Sequence, residues 1–330
     1  MKVIKLDFIG FWSNFNKNDN LFTNILKEKY EVEITNNPDF VIVSPLGAPY
    51  EYTKYDCIRI LFTGEPLSPD FNVFDYAISF ENLTCLDRYG NDRHFRYPLC
   101  LFNHKRVKEH SYGLSYEYAK KELEEKRYFC NFIYGHKSAY GEREQIFSLL
   151  QKYKRVESAG SFMNNMPNNN IIPYSEEKMK FLKQCKFTIA FESISHPGFI
   201  TEKIINPFYS NSIPIYYGNP LCNNEFNPKA IINCHEFNSF EEAVERVIEI
   251  DKNDELYINM LMEHKFITNT YIDDMYKALK SFLWRIFSQE KDDAYRRLRH
   301  YIAKEHETNL KNYNNIHDTF LFKIQHKFSK

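Results

Sequence analysis

Twice along this 330-residue chain, short and nearly uninterrupted apolar runs alternate with helix-forming segments. Such runs suit strands buried on both faces of a parallel sheet. Parallel neighbours need a crossover between them, and a helix is the usual one. The first block reads as strands over Val3 to Phe8, Tyr30 to Thr35, Phe40 to Ser44, Ile58 to Phe62 and Tyr76 to Phe80, with a helix over Leu21 to Lys29. A charged, aromatic connector from about Asn103 to Arg127 carries one helix. The second block reads as strands over Phe129 to Tyr134, Arg155 to Ser158, Lys186 to Phe191, Ile213 to Tyr217 and Ala230 to Asn233. Its helices cover Ala139 to Lys152, Glu176 to Leu182, a segment opening at Thr201, Phe240 to Ile250 and Glu255 to His264. Two successive blocks of this kind predict an α/β protein of two Rossmann-like, doubly wound domains facing a cleft, with ligands at the carboxyl ends of the strands. The expected boundaries are 1–125, 126–268, and 269–330 for C-terminal helices and a basic, aromatic tail.

Composition narrows the class. With 43% hydrophobic and 26% charged residues the chain reads as an ordinary globular protein, and a net charge of −1 leaves no global footprint for nucleic acid. Aromatics at 17% are read mainly as core, with a minority left as sugar-stacking platforms. The seven cysteines are an odd number with no CxxC pair, which argues for reduced thiols in a cytosolic compartment rather than disulfides or a zinc site. The N-terminus MKVIKLDFIGFW is too short and strand-like for a signal peptide, and no apolar run approaches the roughly 18 residues of a membrane helix. A cytoplasmic protein is therefore expected. After Ser281, ten Lys/Arg stand against six Asp/Glu, with aromatics interspersed. That tail either packs back on the first domain or makes peripheral contact with the inner face of a membrane.

Two segments carry chemistry. The stretch Phe191 to Pro220, FESISHPGFITEKIINPFYSNSIPIYYGNP, places a helix N-terminus at Thr201-Glu202-Lys203 between two strands. Unpaired N–H groups there, beside a lysine and two carboxylates, suit a diphosphate attached to a hydroxylated sugar. Lys203 is poorly placed for the helix dipole, a conflict that a bound anion removes. Glu202 serves either the dipole or the sugar hydroxyls, and Glu192, ending its strand, is a candidate for hydroxyl contacts. The second segment, Ile60 to Phe80, sets Glu65 just beyond a strand end, where it is either a general base or a carboxylate capping a turn. Asp70, Asp75 and the run Asp92 to Pro98 read as structural charge pairs, with contact to an acceptor sugar as the lesser option, and His196 as a polar loop residue rather than a base. There is no D-x-D, GxxxxGK[ST], GxGxxG or HExxH.

These segments resemble the α-1,3/4-fucosyltransferases of glycosyltransferase family 10, bacterial type, whose patterns run roughly FENS…GYITEKI…A…IPIYWG.P and TGE followed by P-x-F-N…DYA. The resemblance covers about Phe40 to Phe240. It implies a GT-B fold and an inverting transfer of L-fucose from GDP-β-L-fucose to a GlcNAc hydroxyl of a lactosamine-type glycan, in α-1,3 and/or α-1,4 linkage. Such transfer builds Lewis-type antigens on protein or lipopolysaccharide. It implies Glu65 as catalytic base, Lys203 on the diphosphate, and Glu202 and Glu192 on donor hydroxyls. No cofactor is required and a divalent metal is not essential.

The chain departs from the pattern at three donor positions: Ser193 for Asn, Phe199 for Tyr, which keeps a stacking surface, and Tyr217 for Trp. The stretch Val156 to Asn165 resembles a turn where some relatives carry a phosphate-binding arginine. Phe162 and Met163 occupy that neighbourhood, leaving Ser161, Asn164 and Lys203 as phosphate contacts and Arg143 as a substitute. Three rival readings stand beside this one: a GT-B transferase for another nucleotide sugar or acceptor, a nucleotide-sugar or carbohydrate-binding protein without catalysis, and a nucleic-acid or membrane-surface binder acting through the basic tail after residue 281.

Overall fold

Every strand pairing in the computed structural model, which describes residues 1–166, 171 and 175–317, is parallel. The first sheet has the order β2-β1-β3-β4-β5-β6, built from β1 (Val3–Ile9), β2 (Glu31–Ile34), β3 (Phe40–Val43), β4 (Ile58–Phe62), β5 (Tyr76–Ser79) and β6 (His94–Arg96). The second has the order β11-β10-β9-β7-β8, from β7 (Tyr128–Phe132), β8 (Val156–Ser158), β9 (Cys185–Phe191), β10 (Ile213–Tyr217) and β11 (Ile232–Asn233). Strand order reverses between β1 and β3 in one sheet and between β7 and β9 in the other, the positions where doubly wound sheets open a crevice. The helices are α1 (Leu21–Lys27), α2 (His104–Glu109), α3 (Tyr116–Glu125), α4 (Glu142–Tyr153), α5 (Glu176–Lys183), α6 (Glu202–Tyr209), α7 (Phe240–Lys252), α8 (Asp254–Met262), α9 (Tyr271–Ser288), α10 (Lys291–Ala294) and α11 (Ile302–His317).

The chain divides into two compact units, Met1–Tyr97 together with the residues from Tyr276 on, and Pro98–Met275. This moves both expected boundaries. The connector holds two helices, α2 and α3, and belongs to the second unit: Ala119 of α3 shares a core with Tyr257 and Leu261 of α8, and the Leu114 N–H donates to Leu261 O at 3.1 Å. Apolar residues follow the core that buries them, whatever the charge around them. β6 escaped the strand reading because HFR is three residues long and largely polar.

The C-terminal segment packs back on the first unit. Phe287 lies against Phe40 (4.5 Å between ring centroids), Trp284 Nε1 donates to Ile25 O (3.3 Å), and Tyr76 Oη donates to Ala294 O (2.9 Å). Among the described residues, most of its basic side chains are spent internally. Arg296 pairs with Asp87, and buried Arg297 pairs with buried Asp75. Arg59, in the middle of a buried strand, reaches Tyr55 O and Glu307 of α11 (2.5 Å). Asp75 and the Arg93 clamp on the carbonyls of Phe71, Phe74 and Asp75 are therefore structural. Phe320, Phe322 and Phe328 of the basic tail lie outside the described residues. Among those described, no helix is long and apolar enough to cross a membrane, and all seven cysteines are free.

Candidate functional site

Each unit carries one cluster of candidate residues at the carboxyl end of its sheet. In the second unit the chain leaves β9 at Phe191, and Glu192 keeps the parallel register by donating its N–H to Tyr217 O (2.8 Å). Its carboxylate turns inward and is 2% exposed. There Oε1 accepts from the Thr201 N–H (2.7 Å) and Oε2 from the Thr201 hydroxyl (2.7 Å). Lys203 Nζ sits 3.2 Å from Oε2, donates to Thr201 Oγ1 at 3.0 Å, and lies 3.5 Å from Glu202 Oε1. Gly218 makes room for this arrangement, since a Cβ there would fall 2.5 Å from Glu192 Cγ. Burial pushes the Glu192 carboxyl up, and the Lys203 ammonium pulls it back. Against the opposing effect of burial, the ammoniums of Lys203 and Lys178 hold Glu202 below the usual carboxylate range.

Thr201 stands at the N-cap of α6 but makes no side-chain cap to it, because its hydroxyl serves Glu192. The amide end of the helix therefore has no side-chain cap and has Lys203 beside it, an arrangement that suits an anion. The lysine's conflict with the dipole is already met by Glu192, so its position does not by itself require a ligand.

Several expected donor contacts look different once folded. Glu192 is buried and its oxygens are engaged by Thr201 and Lys203, so it acts as the brace of the lysine rather than as a hydroxyl contact. Phe199 is 2% exposed and offers no stacking face, because its loop folds inward: the Gly198 N–H donates to Asn219 Oδ1 (2.8 Å). Asn164 folds onto its own turn, donating to Gly160 O and accepting from the Met166 N–H. Arg143 is buried and clamps backbone, donating to His136 O and Phe191 O (3.0 Å each) over the Tyr134 ring, so it does not replace a phosphate-binding arginine. Ser161 is exposed beside Gly135, and Ser193 is half-buried with its carbonyl taken by Ala139. Tyr217 keeps an aromatic platform, stacked on His235 with centroids 4.4 Å apart. Burial lowers the His235 pKa, which favours a neutral ring.

Sequence reading missed four supporting residues. Tyr134 Oη bridges the sheet, accepting from Phe191 N (2.7 Å) and donating to Ile189 O. Asn219 ties the two loops of the motif together, Thr201 holds Glu192 at the start of α6, and Lys178 acts on Glu202 electrostatically from α5. A polar residue directly before a motif carboxylate, as Thr201 is, was the available signal.

In the first unit, Thr63 follows β4 and closes an ST-turn: its hydroxyl accepts from the Glu65 N–H (3.1 Å). The Glu65 side chain projects outward, exposed, and its carboxylate has no hydrogen bond or ion pair among the described residues. Leu67 and Ser68, just beyond it, line a cavity of about 420 Å³ with Tyr50, Tyr52 and Asp70, at the ends of β1 and β3 where strand order reverses. Among the described residues no group of three or more His, Cys, Asp or Glu is placed to hold a metal ion.

Comparison with known proteins agrees with this geometry. The model of the alpha-(1,3)-fucosyltransferase FucT N-terminal domain matches residues 6–103, and that of glycosyltransferase family 10 (fucosyltransferase) C-term matches residues 123–308. The alpha-(1,3)-fucosyltransferase FucT of Helicobacter pylori is 31% identical over 277 residues, which is 74% of this chain and 56% of that protein. This chain thus spans little more than half the length of that relative. A crystal structure of an α1,3-fucosyltransferase superposes with a TM-score of 0.69 at 27% identity, over 86% of this chain and 90% of that one. One with GDP-fucose superposes with a TM-score of 0.66 at 26% identity, over 86% and 91%. Two parallel α/β sheets of the GT-B class, with the TEK helix end and the TGE turn inside the matched segments, give the same answer as the family models: the chain belongs to glycosyltransferase family 10, the fucosyltransferases.

Proposed function

We propose that the chain is an inverting fucosyltransferase that moves L-fucose from GDP-β-L-fucose to a GlcNAc hydroxyl of a lactosamine-type glycan, forming an α-1,3 or α-1,4 linkage. The observation that carries this reading is the brace of Glu192, Thr201 and Lys203 at the open amide end of α6. An ammonium held there, beside uncapped N–H groups, matches the charge that a departing nucleoside diphosphate develops. The family relative with GDP-fucose supports the choice of donor.

In the reaction, Lys203 and the α6 amides take the diphosphate, and Glu202 accepts from hydroxyls of the nucleotide sugar. The Glu65 carboxylate removes the proton from the acceptor hydroxyl. That oxygen attacks the anomeric carbon as the carbon–oxygen bond to GDP breaks, and GDP leaves with the electron pair. One displacement converts the β-linked donor into an α-fucoside. The cavity beside Tyr50 and Tyr52, with Ser68 and Asp70 on its wall, suits a sugar ring, and we assign the acceptor to it. No divalent metal enters the scheme, so transfer is expected to survive a chelator. We place the reaction in the cytosol, where the free thiols stay reduced.

The test is incubation of the purified chain with GDP-fucose and with lacto-N-biose or N-acetyllactosamine, the product linkage being read by NMR. An α-fucosylated GlcNAc with release of GDP is expected. Transfer from another nucleotide sugar only, or GDP binding with no transfer to any acceptor, would refute the proposal.

A further inference from the structure

The cavity of about 420 Å³ in the first unit is walled on one side by Pro45, Gly47, Ala48, Pro49 and Tyr50, in the segment that leaves β3. That segment is held against the residue after β1: the Leu46 N–H donates to Gly10 O (3.1 Å), and a Cβ on Gly47 would fall 2.6 Å from Gly10 Cα. Tyr50 adopts a φ of 58°, a left-handed conformation that a tyrosine keeps only where its surroundings hold it. Both peptide planes beside it are tied down. Tyr50 O accepts from the Thr53 N–H (2.9 Å) and the Thr53 hydroxyl (2.8 Å). Pro49 O accepts from Asn314 Nδ2 (2.9 Å), far away along the chain.

Asn314 belongs to α11, in the same unit. His306, Leu310, Tyr313 and Asn314 stand at i, i+4, i+7 and i+8, so one face of the helix carries them all. Leu310 packs against the core cluster that contains Val43, Leu61 and Phe74, which themselves line the cavity. The Tyr313 ring meets the Tyr50 ring at 84°, with centroids 5.4 Å apart. His306 Nε2 stands 4.0 Å from Oδ2 of Asp70, on another part of the wall. Among the described residues that line the cavity, none comes from α11. Asn314 is fully buried, and its Oδ1 has no hydrogen-bond partner among the described residues. A half-satisfied buried amide is a poor choice for stability alone. What it supplies is a fixed place for the carbonyl that leads into the left-handed tyrosine.

We propose that Asn314 is a positioning residue for acceptor binding: through Pro49 O it holds Tyr50 in the conformation that sets the tyrosine ring as a wall of the cavity. The inference rests on the assignment of the acceptor to that cavity and deepens it. The ring then meets the apolar face of a sugar, and α11 governs the affinity of a site it does not touch. A peptide plane is rigid, so fixing one carbonyl fixes how the chain enters the next residue. Without the bond, the carbonyl of exposed Pro49 turns to water, Tyr50 relaxes toward negative φ, and its ring leaves the wall.

The experiment is steady-state kinetics of fucose transfer from GDP-fucose to N-acetyllactosamine or lacto-N-biose, whichever wild type uses. The proteins are wild type, Asn314→Leu, Asn314→Ala, Tyr50→Ala, and Asn314→Leu combined with Tyr50→Ala, with thermal unfolding of each followed alongside. Asn314→Leu fills the space without a donor. It is expected to raise the acceptor KM by about 3- to 10-fold, the scale of one neutral hydrogen bond, with kcat and the KM for GDP-fucose unchanged and unfolding close to wild type. Asn314→Ala should raise the acceptor KM equally, although the void it leaves lowers its unfolding temperature. Tyr50→Ala should raise the acceptor KM by itself, and Asn314→Leu should then add nothing, since its effect passes through that ring. A wild-type acceptor KM in both Asn314 variants, or additive effects in the combined variant, would overturn this inference and leave the acceptor assignment standing. An unchanged acceptor KM in Tyr50→Ala would overturn the assignment of the acceptor to the cavity, and this inference with it. A wild type that transfers no fucose would overturn the proposed function and everything built on it.

Discussion

Glu65 and Glu192 occupy comparable places, each just beyond the end of a buried parallel strand, and their surroundings are opposite. Glu65 is exposed on an ST-turn, with its carboxylate unengaged among the described residues. Glu192 is 2% exposed and engaged by the Thr201 amide, the Thr201 hydroxyl and Lys203. A carboxylate that must accept a proton during each turnover has to be reachable, and Glu65 is. One that must hold a lysine at a helix end needs a dry, saturated pocket, where the same charge acts far more strongly. The same place at a strand end thus holds an exposed, unengaged carboxylate in one sheet and a buried, saturated one in the other.

The contrast can be broken experimentally, beginning with the largest effect. Glu65→Gln should lower the fucose-transfer rate by about 10²- to 10⁴-fold, the range of a lost general base. Unfolding and GDP-fucose affinity should change little; near wild-type turnover would remove Glu65 from the mechanism. Glu192→Ala should show the reverse emphasis. It removes the nearer of the two carboxylates paired with Lys203 and both of the acceptors that Thr201 donates to, and should cost about 1 to 3 kcal/mol of stability in denaturant titration. An unaltered midpoint would show that the brace does not hold the fold. Lys203→Ala should weaken GDP binding by about 10- to 100-fold in calorimetry while Glu192, then unpaired, titrates upward. Unchanged affinity would take the lysine out of the anion site.

The smallest effect concerns pH and the first unit. His94 is buried, with Ser79 on Nε2 (2.8 Å) and Leu83 O on Nδ1 (2.9 Å), and burial lowers its pKa below the ordinary 6.5. The unfolded chain therefore binds more protons than the folded one as pH falls below that value, and stability drops with it. His94→Gln should flatten this acid slope in thermal unfolding measured between pH 7 and 5. An identical slope in both proteins would exclude His94 as its source.

Much of both sheets was legible because burial on both faces writes itself into the chain as apolar runs. FVIV in β3 and IPIYY in β10 could hardly be anything else. The start of α6 was legible because a helix N-cap, a carboxylate and a lysine stand together in three residues. The influence of Lys178 on Glu202 was not legible, since the two side chains come from different helices. Nor was the inward turn of Phe199, which follows from the Asn219 bond to Gly198 across two loops.

The boundary error has the same origin. Residues 98–125 look like a linker until Ala119 is seen inside the core that α8 completes. The basic segment after Ser281 reads as a charged surface until Arg297 is found paired with Asp75 and Glu307 with Arg59.

Sequence alone determined the fold class, the TGE turn and the TEK helix end, because strand burial, turn chemistry and helix starts are local and periodic. Tertiary structure decided which carboxylate is free and which is spent. It also decided where each terminal segment docks and which lysines are buried. Those properties depend on groups far apart along the chain, and a charge acquires its pKa and its partner only when packing removes it from water.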